Sequence, residues 1–165
     1  MAFSVRACAV EELAQGEVEE LVRENALRKA RAAYREQERE AILGCDTLVS
    51  LDGVIHGKPA DLEGARAALR ELAGRTHTVH SAVAVLLPGG ELRSGHARTE
   101  VRFREIDERM LEWYLACGEW RERAGSYAIQ GAGAALVRAI AGDYENVVGL
   151  PLATLLDIYP EMLGF

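Results

Sequence analysis

The sequence predicts an α/β protein, and three observations carry that expectation. Apolar residues recur at helical spacing in three separated segments, around residues 18–39, 61–74 and 107–117. Between them lie long Val- and Ala-rich stretches of strand character, 41–51 and 76–87. Two of these stretches are followed by turn signals, Asp52-Gly53 and Gly89-Gly90, which send the chain back as hairpins.

Taken in order, residues 3–10 read as a short strand, followed by the acidic pair Glu11-Glu12. The first helix is assigned to residues 18–39. Glu17, Glu19 and Glu20 crowd its start while Arg28, Lys29, Arg31 and Arg35 come later, an order that suits the helix macrodipole. Its apolar stripe is Val18, Val22, Ala26, Ala30 and Ala33, which puts Lys29 on or beside the buried face. Asp61 is an N-cap and Gly74 a C′ residue around Leu62, Ala65, Leu69 and Leu72. Residues 76–87 and 91–103 form a second, longer hairpin. His77 and His80, three apart on a strand, point to opposite faces, and all four histidines are read as non-metal residues. A helix over 107–117 stops at Gly118. A glycine-rich stretch to Pro151 holds one strand, 134–141, and a last helix starts near Pro151.

The 165 residues suit one domain, 1–165, without repeats or linkers. No apolar run reaches the roughly 18 residues of a membrane span, and the first residues lack the apolar core of a secretory signal. A net charge of −7 with no basic run argues against a DNA or RNA surface, though a local cluster of cations can still hold a free nucleotide. Three cysteines without CxxC spacing point to a reduced, cytoplasmic protein.

The chemistry concentrates in 41–59, AILGCDTLVSLDGVIHGKP. Asp46 stands inside strand sequence, where an unmatched carboxylate is costly to bury. A hairpin that brings Lys58 near Asp46, with Gly57 admitting a ligand, fits phosphate and metal chemistry. A structural Asp–Lys pair fits it as well. Glu11-Glu12 is open between a metal ligand and solvated surface. Arg121, Arg123 and Gln130 either line a ligand loop or decorate an ordinary glycine-rich connection.

Longer motifs narrow these alternatives. Glu12, Ala26-Leu-Arg-Lys29-Ala30, Gly44-Cys-Asp46-Thr47, Gly57-Lys58-Pro59 and Leu72-Ala-Gly-Arg-Thr-His77 run in order. They continue through Val101-Arg-Phe103, Arg123-Ala-Gly-Ser-Tyr-Ala-Ile-Gln130-Gly131 and Asn146-Val-Val-Gly-Leu-Pro151. Together they resemble the Maf family of nucleoside triphosphate pyrophosphatases over nearly the whole chain. The resemblance implies an elongated mixed sheet flanked by helices, with two lobes and a central cleft, as in the inosine triphosphate pyrophosphatases. It implies hydrolysis of a nucleoside triphosphate to monophosphate and pyrophosphate with a divalent cation, Mg²⁺ or Mn²⁺, and leaves room for a homodimer. By the same resemblance Asp46 is the catalytic proton acceptor and, with Glu12, a metal ligand. Lys29, Lys58 and Arg123 bind phosphate, and Thr47 and Gln130 set a dTTP/UTP preference. The family has Lys where this chain has Arg123, a change of geometry at constant charge. It also begins with a strand and a Ser-x-Ser-Pro-Arg-Arg loop that does not precede Met1 here, so the expectation is a shortened domain or further residues upstream. A nucleotide-binding regulatory protein that kept the cleft without turnover is the alternative.

Overall fold

In the computed structural model, residues 3–35 and 39–164 are described. Helix α1 spans Val18–Ala33, and its N-cap is Glu17, whose carboxylate accepts the Glu19 and Glu20 N–H groups. It ends earlier than the charge pattern predicts. Tyr34 turns extended, its N–H bonding back to Ala30, and Arg6 Nη1 donates to the Ala33 carbonyl at 3.1 Å. Residues 36–38, inside the expected helix, lie outside the described residues.

Five strands follow the order β2-β1-β3-β4-β5, where β1 is Ile42–Leu51, β2 Val54–His56, β3 Thr76–Leu86, β4 Leu92–Phe103 and β5 Val137–Ala141. The α/β class holds. Every ladder among the described residues is antiparallel, however, in place of the mixed pairing expected. Two of these ladders, β1–β2 and β3–β4, are hairpins, which pair antiparallel, while β1–β3 and β4–β5 are joined through connections that carry helices. Asp52 (φ 50°) and Gly53 (φ 81°) adopt the two positive φ values of a type I′ turn. Residues 3–10 form no strand. Their apolar side chains find no sheet neighbour, and Phe3 and Val5 stay exposed.

Helix α2 (Leu62–Leu72) is capped by Asp61, which accepts Gly64 N–H at 2.8 Å, and α3 (Glu108–Cys117) by Asp107. Both cover one end of the sheet, gathering Leu69, Leu72, Leu111 and Tyr114 into one cluster with Phe103 of β4. Helix α1 covers the other end, packing Val22, Ala26 and Ala30 on Ile42, Ala82 and Ala84. Here the contact is close enough to demand glycine. A Cβ at Gly44 would stand 2.2 Å from the Ala26 carbonyl oxygen and 2.5 Å from Ala30 N. On the opposite face, Val83 and Val85 meet Leu155 of α5 (Leu152–Ile158), which follows Pro151. The expected strand at 134–141 begins only at Val137, because 131–135 wind into a 3₁₀ turn. A further short helix, α4 (Tyr144–Val148), is capped by Asp143.

One detail positions the site. β2 pairs with β1 only at Val49, Ser50 and Leu51. The outer edge of β1 before Val49 therefore meets no strand among the described residues, and the chain leaves β2 through Gly57-Lys58. A cleft opens there.

Candidate active site

The cleft encloses about 340 Å³. It is walled by Lys29, Asp46 and Lys58 on one side and by Arg123, Tyr127–Gln130 and Val147–Leu150 on the other. Asp46 is only 5% exposed, and its burial is matched by two donors from α1. Asn25 Nδ2 reaches Oδ2 at 3.1 Å and Lys29 Nζ reaches Oδ1 at 2.5 Å. Residues 25 and 29 are one helical turn apart, so α1 delivers both from the same face. The same ammonium holds Glu12 Oε1 at 2.7 Å, and Lys58 Nζ lies 3.6 Å from Glu12 Oε2. The hairpin alone suggests that Lys58 meets Asp46. Instead Lys29 takes that place, and Lys58 pairs with Glu12.

Burial, the largest influence on Lys29, works against its charge. The hydrogen bonds to Asp46 and Glu12 more than offset it, and the ammonium is held above the usual lysine range. For Glu12 burial again opposes ionisation and is again outweighed, first by Lys29 and then by Lys58, so its carboxyl titrates below the usual range. Glu12 and Lys29 therefore stay charged across neutral pH.

Among the described residues no group of three or more His, Cys, Asp or Glu side chains converges on a metal position. The donor set nevertheless suits a hard divalent cation. Glu12 and Asp46 each bring a carboxylate oxygen to within hydrogen-bond distance of one ammonium, so they already converge on a cation. Magnesium needs oxygen ligands and completes its shell with water and substrate phosphates.

Thr47 alternates to the other face of β1. Its Oγ1 lies 2.8 Å from Ser81 Oγ and 3.5 Å from the Gly149 carbonyl. Cys45 Sγ donates to the same carbonyl at 3.0 Å. Burial first, then the nearby Asp46, pushes this thiol up to about 12, so it acts as a donor and not as a nucleophile. Gln130 and Arg123 are both exposed on the cleft's far wall. Their segment is braced from behind. Tyr114 Oη accepts Ala128 N–H at 3.0 Å, and the two Glu119 oxygens accept Ala132 and Gly133 N–H.

All seven residues singled out by sequence thus flank one cleft or its rim, Glu12 through Lys29 and Lys58. Sequence reasoning missed Asn25 and Ser81. Asn25 is 1% exposed and also clasps the Leu13 backbone, accepting its N–H at 2.8 Å and donating to its carbonyl at 3.1 Å. Its place four residues after buried Leu21 and four before Lys29 is the signal that finds it.

Fold and site define an α/β protein whose cleft sets an acid–lysine wall against a glycine-rich wall that carries Arg123 and Gln130. The model of the Maf-like protein family matches residues 1–162, and the chain belongs to that family. The dTTP/UTP pyrophosphatase of Symbiobacterium thermophilum is 47% identical over 150 residues, covering 88% of this chain and 77% of its own length. That of Dictyoglomus thermophilum is 43% identical over 167 residues, 99% of this chain and 86% of the relative. The Pyrococcus furiosus protein of the same name is 44% identical over 119 residues, 72% of this chain. The match spans 62% of that relative, less than two thirds of its length.

Proposed function

We propose that this chain is a nucleoside triphosphate pyrophosphatase that hydrolyses dTTP and UTP, releasing the monophosphate and pyrophosphate. The observation that carries the reading is the buried Asp46 carboxylate, hydrogen-bonded by Lys29, in a cleft that Thr47 and Gln130 also line. The names of the relatives point the same way.

Water attacks at the anhydride between the α and β phosphates, and its proton passes to Asp46. Asn25 and Lys29 occupy one lone pair on each Asp46 oxygen, which fixes the carboxylate and leaves acceptor capacity for that proton. Lys29, Lys58 and Arg123 offset the charge that gathers on the phosphate oxygens as the bond breaks. Glu12 and Asp46 would hold a divalent cation, Mg²⁺ or Mn²⁺, which supplies further charge neutralisation on the phosphates. Thr47 and Gln130 contact the base. We place the protein in the cytoplasm, in keeping with free thiols at Cys8, Cys45 and Cys117 and with no described helix long and apolar enough to cross a membrane.

Incubation with dTTP, UTP, CTP or GTP and Mg²⁺, with pyrophosphate measured directly, tests the reading. Release from dTTP and UTP that stops on chelation is expected. Nucleotide binding by calorimetry without any release would replace it with the regulatory alternative.

A further inference from the structure

The Thr47 hydroxyl sits in a chain of hydroxyls whose proton positions can be deduced. Ser81 is fully buried on β3, directly across from Thr47 in the β1–β3 register. Ser81 Oγ lies 2.8 Å from Thr47 Oγ1 and 3.2 Å from the Asn146 carbonyl. Asn146 is itself fully buried, and its Nδ2 donates to the Val79 carbonyl and to Thr99 Oγ1 at 3.1 and 3.0 Å, so that carbonyl is held in place.

Two arrangements of the two hydroxyl protons exist. In the first, Ser81 donates to the Asn146 carbonyl and accepts from Thr47, which makes two good bonds. In the second, Ser81 donates to Thr47. The Asn146 carbonyl, which also accepts Gly149 N–H at 3.1 Å, then faces a bare Ser81 lone pair at 3.2 Å, and the Thr47 proton has only the Gly149 carbonyl, at a long 3.5 Å and shared with Cys45 at 3.0 Å. In a buried site two acceptor oxygens set 3.2 Å apart with no proton between them, against one bond of 3.5 Å gained, decide against the second arrangement. The first leaves Thr47 Oγ1 with its proton turned inward and its free lone pair toward the cleft.

We propose that Ser81 is a positioning residue which makes Thr47 an obligate hydrogen-bond acceptor, so that the cleft selects a base presenting an imide N–H. The inference rests on the pyrophosphatase reading above and gives it a chemical basis. Uracil and thymine carry a proton at N3, whereas N3 of cytosine is an acceptor and would meet the Thr47 lone pair head-on. A site that hydrogen-bonds one group rejects its mismatch because a buried polar atom is left unpaired.

The test compares kcat/KM for UTP, CTP and N3-methyl-UTP in the wild type, Ser81→Ala and Ser81→Thr. The wild type should prefer UTP over both other substrates. Ser81→Ala frees the Thr47 proton to point either way, and the UTP:CTP ratio should fall about tenfold. Ser81→Thr restores the acceptor and should restore the ratio. A purely structural role would lower UTP and CTP turnover together and leave the ratio alone, which would overturn the proposal. So would wild-type protein that cleaves N3-methyl-UTP as well as UTP, a result that stands even if Ser81→Ala fails to fold. Absence of pyrophosphate from every nucleotide would instead sink the pyrophosphatase reading itself.

Discussion

Replacing Asp46 by Asn keeps the volume of the side chain and an acceptor for Asn25, and Lys29 retains Glu12 as a partner. The fold should therefore survive while the proposed proton acceptor is lost. We expect turnover to fall about 10²-fold or more with the melting temperature nearly unchanged, read by pyrophosphate release and thermal denaturation. Loss of stability with full activity in the folded fraction would make the carboxylate structural. At this scale the sequence was informative where chemistry and motif coincide. Asp46, Lys29, Lys58 and Glu12 are charged residues in unlikely surroundings or fixed spacing, and they meet. Asn25 escaped because an Asn in a helix reads as solvated surface. Only its partners, Asp46 and the Leu13 backbone, explain it, and both are distant in sequence.

Helix α1 and strand β1 carry most of the acid–lysine wall, and Gly44 sets the distance between them. Gly44→Ala would force its new methyl into the Ala26 carbonyl and Ala30 N, so the helix must lift. Overpacking of this kind costs about 1–3 kcal/mol. Because Asn25 and Lys29 ride on α1, kcat should drop along with thermal stability, whereas the same substitution at Gly57, where a Cβ meets nothing within 4 Å, should spare stability. Equal melting temperatures for the two variants would contradict this account. Elements were legible when their information is local. Both hairpins, the Asp61 cap and the Gly74 and Gly118 stops all follow from neighbouring residues. Strand identity at residues 3–10 was not, because alternation describes a side-chain pattern while a strand also needs a hydrogen-bonded neighbour.

The molecule as a whole should lose stability in acid through its largest core cluster. His77 packs against both Phe103 and Tyr127, with ring centroids 4.8 and 5.4 Å away, and its Nε2 meets the Tyr127 hydroxyl at 2.9 Å. Burial, with a smaller contribution from His56, lowers its pKa to about 4. The folded state thus keeps His77 neutral while the unfolded chain takes up a proton near its ordinary 6.5. Stability is complete above that value and drains away as pH falls toward 4, by about 3 kcal/mol in all. His77→Gln should flatten the slope of melting temperature over this window, and an unchanged slope would move the cause elsewhere. The acid–lysine wall behaves differently, since the lowered Glu12 and the raised Lys29 contribute fully between the ordinary carboxylate and lysine ranges and lose that contribution only as pH falls below the first or rises above the second.

Glu12 brings a different consequence. It belongs to residues 3–17, which join no strand or helix and are mostly exposed, tied down by Asn25, by Arg28 on the Glu11 carbonyl and by Arg6 on the Ala33 carbonyl. Such a segment opens at a fraction of the free energy that melts a sheet. Half of the carboxylate pair therefore answers to a local equilibrium of its own, while Asp46 stays fixed in β1. A ligand that needs both acids meets a protein competent only while the segment is closed, and its apparent affinity is scaled by that fraction. Amide protection along residues 11–13 would then rise with occupancy, making a stretch outside every strand and helix the gauge of whether the site is filled.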